Sequence, residues 1–595
     1  MNLATLLFGP LAGPECRRAS SRAWPIVVRT LAASAAMVVV LSIIWVGWFD
    51  QTTGSRSLTL LRIAPSALML IEGMALTIAL VLSPAVLAGS LAGEKERGTL
   101  GLLVISRVTS REIVAGRLAS RLAQVGLILL ALLPAVAISA SLSGLGLGAQ
   151  LMLIVLPMAV AFGGGGLALA ASVLSRRGRD ALLLVYLLDL LCLLSPLLGS
   201  AGFSLVASEW VGVLNPYGAL SPLAREDSVA FALACAAFWT AVGMAGLFVA
   251  AWRLQPACLA AADSSTPRGH SRRKRWVPPL DERPMLWKEL YIERVDSLGR
   301  AGRWIELFLV ILLGAGSIVF AALYAWFRWI RPDEVMLSST TAAMATAFDY
   351  PSQVLVSLIQ WAIGLRAAVA IAAERERGSW DALLTSPLTG REIILSKLWG
   401  SLFALRWLVG SALLAWTLSL ACGAMRYPSY LNLLAGCFII GGYMAAVGVR
   451  TSLSTATATR AMSITIGLWL AGGIVIGIAA GFVMMVMGIV INFVANLLGL
   501  SSLWGTAGVP MVMSLMAGWP IACYLLYVLV TVLVVIETSL RFDRLAGRMV
   551  AGETATAVDH LVHGPPTEPV WLGPEPEVEV ELEAIEPEPG LVEQV

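Results

Sequence analysis

Runs of about 20 apolar residues recur along almost the whole chain, and this recurrence limits its fold more than any other feature. A helix of that length crosses a hydrocarbon core of roughly 30 Å. Inside lipid no water satisfies backbone N–H and C=O groups, so only helices and closed barrels can cross. The runs here are continuous rather than alternating, which selects helices. Charge is correspondingly scarce, at 13% of residues, where soluble domains carry roughly 25%. The expected fold is an all-α polytopic membrane protein.

The length rule gives about twelve spans. In the first half they lie near Thr30–Phe49, Ala67–Leu91, Leu122–Leu142, Gln150–Leu174, Ala181–Leu198 and Val229–Trp252. In the second they lie near Trp304–Trp326, Val354–Ala372, Leu398–Cys422, Leu431–Val449, Ala461–Ile489 and Ile521–Leu540. The apolar stretch from Asn492 to Trp519 reads as a re-entrant or interfacial helix on the outer side. No cleavable leader is expected, because Arg17, Arg18 and Arg22 precede the first span without a cleavage site after it. Every second loop is basic: Lys95 to Arg121, Arg176 to Arg179, Arg272 to Arg275, Arg375 to Lys397, Arg450 and Arg460, and Arg541 to Arg548. Basic loops stay on the cytoplasmic side. Both termini are therefore expected in the cytoplasm, with the chain in the cytoplasmic membrane.

Several function classes are disfavoured. A net charge of +3 is too small to suggest nucleic acid. The seven cysteines are scattered and show no CxxC spacing, so no metal site and no disulfide framework is expected.

A charged segment occurs twice. It reads Glu94-Lys95-Glu96-Arg97-Gly98-Thr99-Leu100 and again Glu374-Arg375-Glu376-Arg377-Gly378-Ser379-Trp380. The likeness continues without a gap to Leu118 and Leu398, through Leu103/Leu383, Thr109/Thr389, Arg111/Arg391 and Glu112/Glu392. Upstream, Pro10 and Glu15 have the spacing of Pro284 and Glu289. The halves are thus parallel repeats. The expected division is a first six-span half over 1–254, a cytoplasmic linker over 255–283, a second half over 284–549, and a tail over 550–595. The tail is rich in Pro and Glu and has too little apolar surface to fold.

Each copy has the same local logic. Gly98 and Gly378 permit a sharp change of direction. Thr99 and Ser379 are placed to N-cap a short helix. In that helix Leu100, Leu103 and Val104, or Trp380, Leu383 and Leu384, share one face. Thr109-x-x-Glu112 and Thr389-x-x-Glu392 then form capping boxes that start the third span of each half. The result is a rigid elbow joined to two spans.

The stretch from Glu374 through Leu383-Leu384-Thr385-Ser386-Pro387-Leu388-Thr389-Gly390-Arg391-Glu392 resembles the ABC-2 (type-2) family of ABC-transporter permeases. Pro284-Met285-Leu286-Trp287-Lys288-Glu289 resembles that family's interfacial connecting helix. The first copy departs from the pattern at Gly101, where an acidic residue is usual, and at Arg107, where Pro is preferred. The resemblance implies an exporter's transmembrane subunit, with both six-span units fused in one chain. It implies an ABC ATPase partner in two copies, which holds ATP and Mg, beside membrane lipid and an unidentified substrate. It assigns coupling to Glu94, Glu96, Arg97, Gly98, Leu100 and Leu103, and to Glu374, Glu376, Arg377, Gly378, Trp380 and Leu383. On this reading the charged residues contact the ATPase, and Leu100, Leu103, Trp380 and Leu383 are its anchors. Thr109, Glu112, Thr389 and Glu392 cap the exit helices.

No GxxxxGK[ST] phosphate loop occurs in the sequence, so the chain is not expected to be an enzyme itself. Leu142-Ser143-Gly144-Leu145-Gly146 lies on an apolar outer loop, and Gly163–Gly166 and Gly441-Gly442 read as close-packing positions within spans. Ionisable residues inside spans are candidates for translocation or gating: Asp189 in span five, and Glu72 and Arg366 in the two second spans. Glu306, Arg406 and Glu537 lie nearer span ends and are expected to snorkel or pair. Two other classes fit the same layout: a twelve-span secondary transporter, and a non-transporting scaffold derived from a permease.

Overall fold

The computed structural model describes residues 23–49, 56–96, 98–100, 108–175, 177–193, 212–220, 229–263, 284–289, 299–326, 337–386, 388–497 and 508–546. Within these, the first half contains α1 (Ala23–Phe49), α2 (Arg56–Leu87), α3 (Gly89–Glu96), α4 (Ser110–Leu142), α5 (Leu147–Leu174), α6 (Gly178–Leu193) and α7 (Val229–Asp263). The second contains α8 (Pro284–Trp287), α9 (Gly299–Ala325), α10 (Leu337–Glu376), α11 (Trp380–Leu384), α12 (Gly390–Ala404), α13 (Arg406–Ala421), α14 (Tyr427–Ala435), α15 (Gly441–Ser454), α16 (Ala458–Leu497), α17 (Gly508–Leu540) and α18 (Phe542–Ala546). No strand occurs among the described residues. The protein is an all-α polytopic membrane protein.

Nine of the described helices are long and apolar enough to cross a membrane, and ten if α12 and α13, bent by 51°, count as one span. The expected fifth span is α6, which has only 16 described residues. For the expected seventh, the apolar described stretch is Gly314–Ala325. Between Asn492 and Trp519 the described residues belong to the flanking helices, since α16 runs to Leu497 and α17 begins at Gly508. The first half's last helix also continues beyond the expected boundary, through Pro256 to Asp263. Residues 264–283 of the linker and the tail from 547 onward lie outside the described residues.

Lipid explains the surface. Val528, Leu529, Val532, Leu533 and Ile536 of α17 are exposed, as are Met244 and Phe248 of α7. Those faces have no polar group to lose in hydrocarbon. The interior is closed by small residues. A β-carbon at Gly166 would lie 2.4 Å from Gly243 O, and one at Gly163 would lie 2.6 Å from Trp239 O, so α5 and α7 pack backbone to backbone. The second half repeats the device elsewhere: at Gly448 of α15 a β-carbon would lie 2.7 Å from Gly364 O in α10. Gly441 has Ile363 Cδ1 at 3.2 Å, whereas Gly442 faces open space. Close packing in this span therefore falls on Gly448.

The halves meet along α16. Ser463 Oγ donates to Ala85 O at 2.8 Å. Tyr186, Trp361 and Trp469 form an edge-to-face chain with centroids 5.3 and 5.2 Å apart. Ala458, Met462 and Ile466 are buried in one cluster with Leu87, Leu91 and Ala372.

Candidate functional site

The two charged segments are built alike. Gly98 and Gly378 both have φ 71°, a region that costs other residues roughly 1–2 kcal/mol. Gly98 N–H donates to Lys95 O and Gly378 N–H to Arg375 O, both at 3.1 Å. Thr99 N–H donates to Glu94 O and Ser379 N–H to Glu374 O, both at 3.0 Å. This double bond pattern is the Schellman end of a helix. The hydroxyls of Thr99 and Ser379 serve the helix that precedes them. Thr99 Oγ1 donates to Glu94 Oε2 at 3.1 Å, and Ser379 Oγ donates to Glu374 O at 3.3 Å. Ser379 stands at the N-cap of α11 but makes no side-chain cap bond to it.

Among the described residues, Glu94, Lys95, Glu374, Arg375 and Glu376 bond within their own protein. The first glutamate of each copy pairs with a base on the exit helix. Glu94 Oε1 lies 2.6 Å from Arg117 Nη2, and Glu374 Oε1 lies 2.8 Å from Lys397 Nζ. Arg117 and Lys397 are 280 positions apart, as are Glu94 and Glu374. In the second copy the pair is fully buried and extended. Lys397 Nζ also lies 2.5 Å from Glu289 Oε1, and Lys288 Nζ lies 2.7 Å from Glu374 Oε1. The two buried carboxylates share the buried Lys397 ammonium, and the half-exposed Lys288 supplies a second cation. Arg366 joins this end, its Nη2 donating to Glu289 O at 3.4 Å.

The basic residue that follows closes the end of span four. Lys95 Nζ donates to Val173 O and to Ser175 O, and Arg375 Nη1 donates to Thr455 O at 2.9 Å. A cation there meets the negative end of the helix dipole. The second glutamate opens span five: Glu376 Oε1 accepts from Ala458 N at 2.7 Å, at the first residue of α16. The Glu96 side chain, Arg97 and Leu103 lie outside the described residues. Arg377 and Gly378 are exposed.

A further tie was not visible in the charged motif. Ser172 Oγ accepts from Leu91 N at 3.2 Å and Ala92 N at 2.8 Å. Ser452 Oγ accepts from Ile371 N and Ala372 N, both at 2.9 Å. These serines are again 280 positions apart. Continuing the gapless alignment past Leu118 would have found them.

The short helix turns its apolar face inward. Trp380 and Leu383 are buried with Ile393, Leu453 and Phe542. The Trp380 ring meets Phe542 at 6.4 Å, and the Arg375 guanidinium lies 5.1 Å from the Trp380 centroid. Leu100 is buried beside Ile113 and Val114. In the chain by itself the apolar area of Leu100, Trp380 and Leu383 is buried. The outward face of α11 carries Asp381 and Ala382, with Thr385 just after it. The exit helices begin with reciprocal caps. Thr109 Oγ1 accepts from Glu112 N at 3.4 Å, and Glu112 Oε2 accepts from Thr109 N at 2.8 Å. The Thr389–Glu392 distances are 3.3 and 2.9 Å.

The intramembrane candidates are not brought together. Glu72 lines a cavity of about 30 Å³ with Leu129, Leu153 and Met158. Asp189 is buried in α6. The carboxyl oxygens of both have no hydrogen-bond partner among the described residues. Arg366 belongs to the elbow instead. Glu537 pairs, lying 3.2 Å from Arg450 and 3.0 Å from Arg541. The Glu306 side chain lies outside the described residues. Asn215 N-caps a short 3₁₀ helix over Pro216–Ala219, its Oδ1 accepting from Tyr217 N at 3.0 Å. No group of three or more His, Cys, Asp or Glu that could hold a metal occurs among the described residues.

Comparison with curated proteins gives no match. Residues 304–544, which include the second elbow from Glu374 to Glu392, match the family model described as ABC-2 family transporter protein.

Proposed function

We propose that the chain is the transmembrane subunit of an ABC exporter, driven by a separate ATPase that acts on the two elbows. The carrying observation is mechanical. At each elbow charged residues and a serine tie the end of span two to spans three and four, and at the second elbow Glu376 adds span five. Force applied there reaches several spans together, which is what coupling requires. The match to an ABC-2 family transporter protein supports the same reading.

In this mechanism Glu94, Glu374, Glu376 and the basic residues beside them are internal struts. Leu100, Trp380 and Leu383 seat the short helix. The ATPase meets the outward face, at Asp381, Ala382 and Thr385 in the second copy. ATP and Mg are held by the partner, in two ATPase copies. The elbows and both termini lie on the cytoplasmic side of the cell membrane.

The test is recovery of an ATPase with the full chain. Asp381→Lys is expected to lower that recovery while the chain's thermal stability stays unchanged, because Asp381 is exposed. An intact chain that recovers no ATPase defeats the reading.

A further inference from the structure

Pro157 interrupts the hydrogen-bond ladder of α5, and Pro134 interrupts that of α4. A proline has no N–H, so the carbonyl four residues earlier loses its helical donor. Those carbonyls belong to Leu153 and Leu130. Both residues line the small cavity beside Glu72, and Pro157 itself lies on its wall. Hydrocarbon offers such carbonyls no replacement donor.

Glu72 adds a third oxygen-bearing group. It is 1% exposed, and neither carboxyl oxygen has a hydrogen-bond partner among the described residues. It belongs to the span Ile63–Lys95, about 14 Å in from Ile63. Among the described residues no other ionisable group lines the cavity. Arg29 on α1, Arg121 on α4, Asp189 on α6 and Arg460 on α16 stand on helices packed against α2, and none interacts with Glu72 electrostatically. Tyr217, on the short helix that also meets α2, bonds Thr77 at 2.8 Å. The cavity therefore gathers acceptors and offers no donor. A lone carboxylate is very costly in such surroundings, so Glu72 carries a cation. About 30 Å³ is room for one water-sized occupant beside it.

The second half shows these parts to be a set. At the offset of 280 that relates Ser172 to Ser452, the counterparts of Glu72, Pro134 and Pro157 are Ser352, Leu414 and Cys437. The carboxylate and both prolines are replaced together.

We propose that this cavity is an exchangeable site for one small monovalent cation, held by the Glu72 carboxylate and the Leu153 and Leu130 carbonyls. Carboxylate and freed carbonyl oxygens suit a sodium ion, or a proton shared between Glu72 and a water, by the same chemistry. The site stands on first-half residues alone and does not rest on the permease reading.

The test is labelling of Glu72 by dicyclohexylcarbodiimide in the purified full chain, read on its peptide by mass spectrometry. Leu130, Ile154 and Met158 line the cavity and are exposed to lipid, so an apolar reagent has a way in. The protonated acid adds across a C=N bond of the reagent. Its oxygen bonds the central carbon, its proton goes to nitrogen, and acyl migration leaves a stable N-acylurea with no leaving group. Two arms separate the cations: sodium against choline at one pH, and a pH series without sodium. Protection by sodium identifies sodium. Labelling that falls as pH rises and ignores sodium identifies the proton. Pro157→Ala returns an N–H to Leu153 O and is expected to weaken the hold on that cation about tenfold. A second reading holds even where the reagent is kept out. The thermal midpoint of the parent, relative to Glu72→Gln, is expected to vary with the same cation, because a ligand of the folded chain raises its midpoint. Labelling and midpoint difference indifferent to both sodium and pH overturn the proposal and leave Glu72 a permanently neutral acid. A Pro157→Ala chain that responds as the parent does overturns it as well.

Discussion

Lys397 Nζ lies 2.8 Å from the Glu374 carboxylate, and both side chains are buried. Removing one partner of such a pair strands the other charge away from water, at a cost of about 3–5 kcal/mol. Lys397→Met leaves both Glu289 and Glu374 without this cation. It is expected to lower the thermal midpoint of the detergent-purified chain by many degrees. Lys397→Arg, which copies Arg117 of the first half, is expected to recover most of the loss. A Met variant as stable as the parent would remove the pair from any structural role.

Ser452 supplies one acceptor to two backbone donors, Ile371 N and Ala372 N. Ser452→Ala takes it away without changing the packing volume much. A buried donor left unsatisfied costs about 1–3 kcal/mol. Faster amide hydrogen exchange at Ile371 and Ala372 is expected, with a lower thermal midpoint. Ser172→Ala should act the same way on Leu91 and Ala92. Unchanged exchange in both variants would show that the hydroxyls carry no load.

At Gly390 the constraint is steric. A β-carbon there would lie 2.4 Å from Phe542 Cδ1. Phe542 is itself buried against Trp380, so it has little room to move. Gly390→Ala is expected to cost about 1–3 kcal/mol through overpacking. Gly442→Ala, where nothing lies within 4 Å, serves as the comparison and is expected to be close to neutral. Equal stability of the two would refute the argument.

Thr389→Ala removes one half of a capping box. The loss is about 1 kcal/mol at the start of α12. The residue-389 N–H stays available to Glu392 Oε2, but the hydroxyl that accepts from Glu392 N is gone and the turn that positions Glu392 loosens, so Glu392→Ala in the Thr389→Ala background should cost less than in the parent. Additive losses in that double-mutant cycle would show that the box is not reciprocal.

Hydropathy alone predicted most of the helices, because lipid imposes a simple rule on every span. The repeat was legible too, since Glu94 and Glu374 stand in one gapless register. The charged motif by itself suggested residues facing water. What it lacked was the partner side: Lys397 lies 23 residues further on, and Lys288 and Glu289 come from a different element. Ser172 and Ser452 were hidden for another reason. A serine among alanines and glycines reads as a space-filler until its hydroxyl is seen against two amides. Gly442 and Gly448 show the limit of composition, because both sit in a small-residue span and only the helix's rotation decides which one touches α10.

The break at Leu405 gives the two halves different mechanical characters. In the first half α4 is one unbroken helix of 33 residues from its cap at Thr109. In the second the corresponding run is divided at Leu405 by a 51° bend. A stiff rod carries a push along its length to its far end. A jointed one turns part of the same push sideways. Under the proposed coupling, identical strokes delivered to both elbows would displace the two halves unequally.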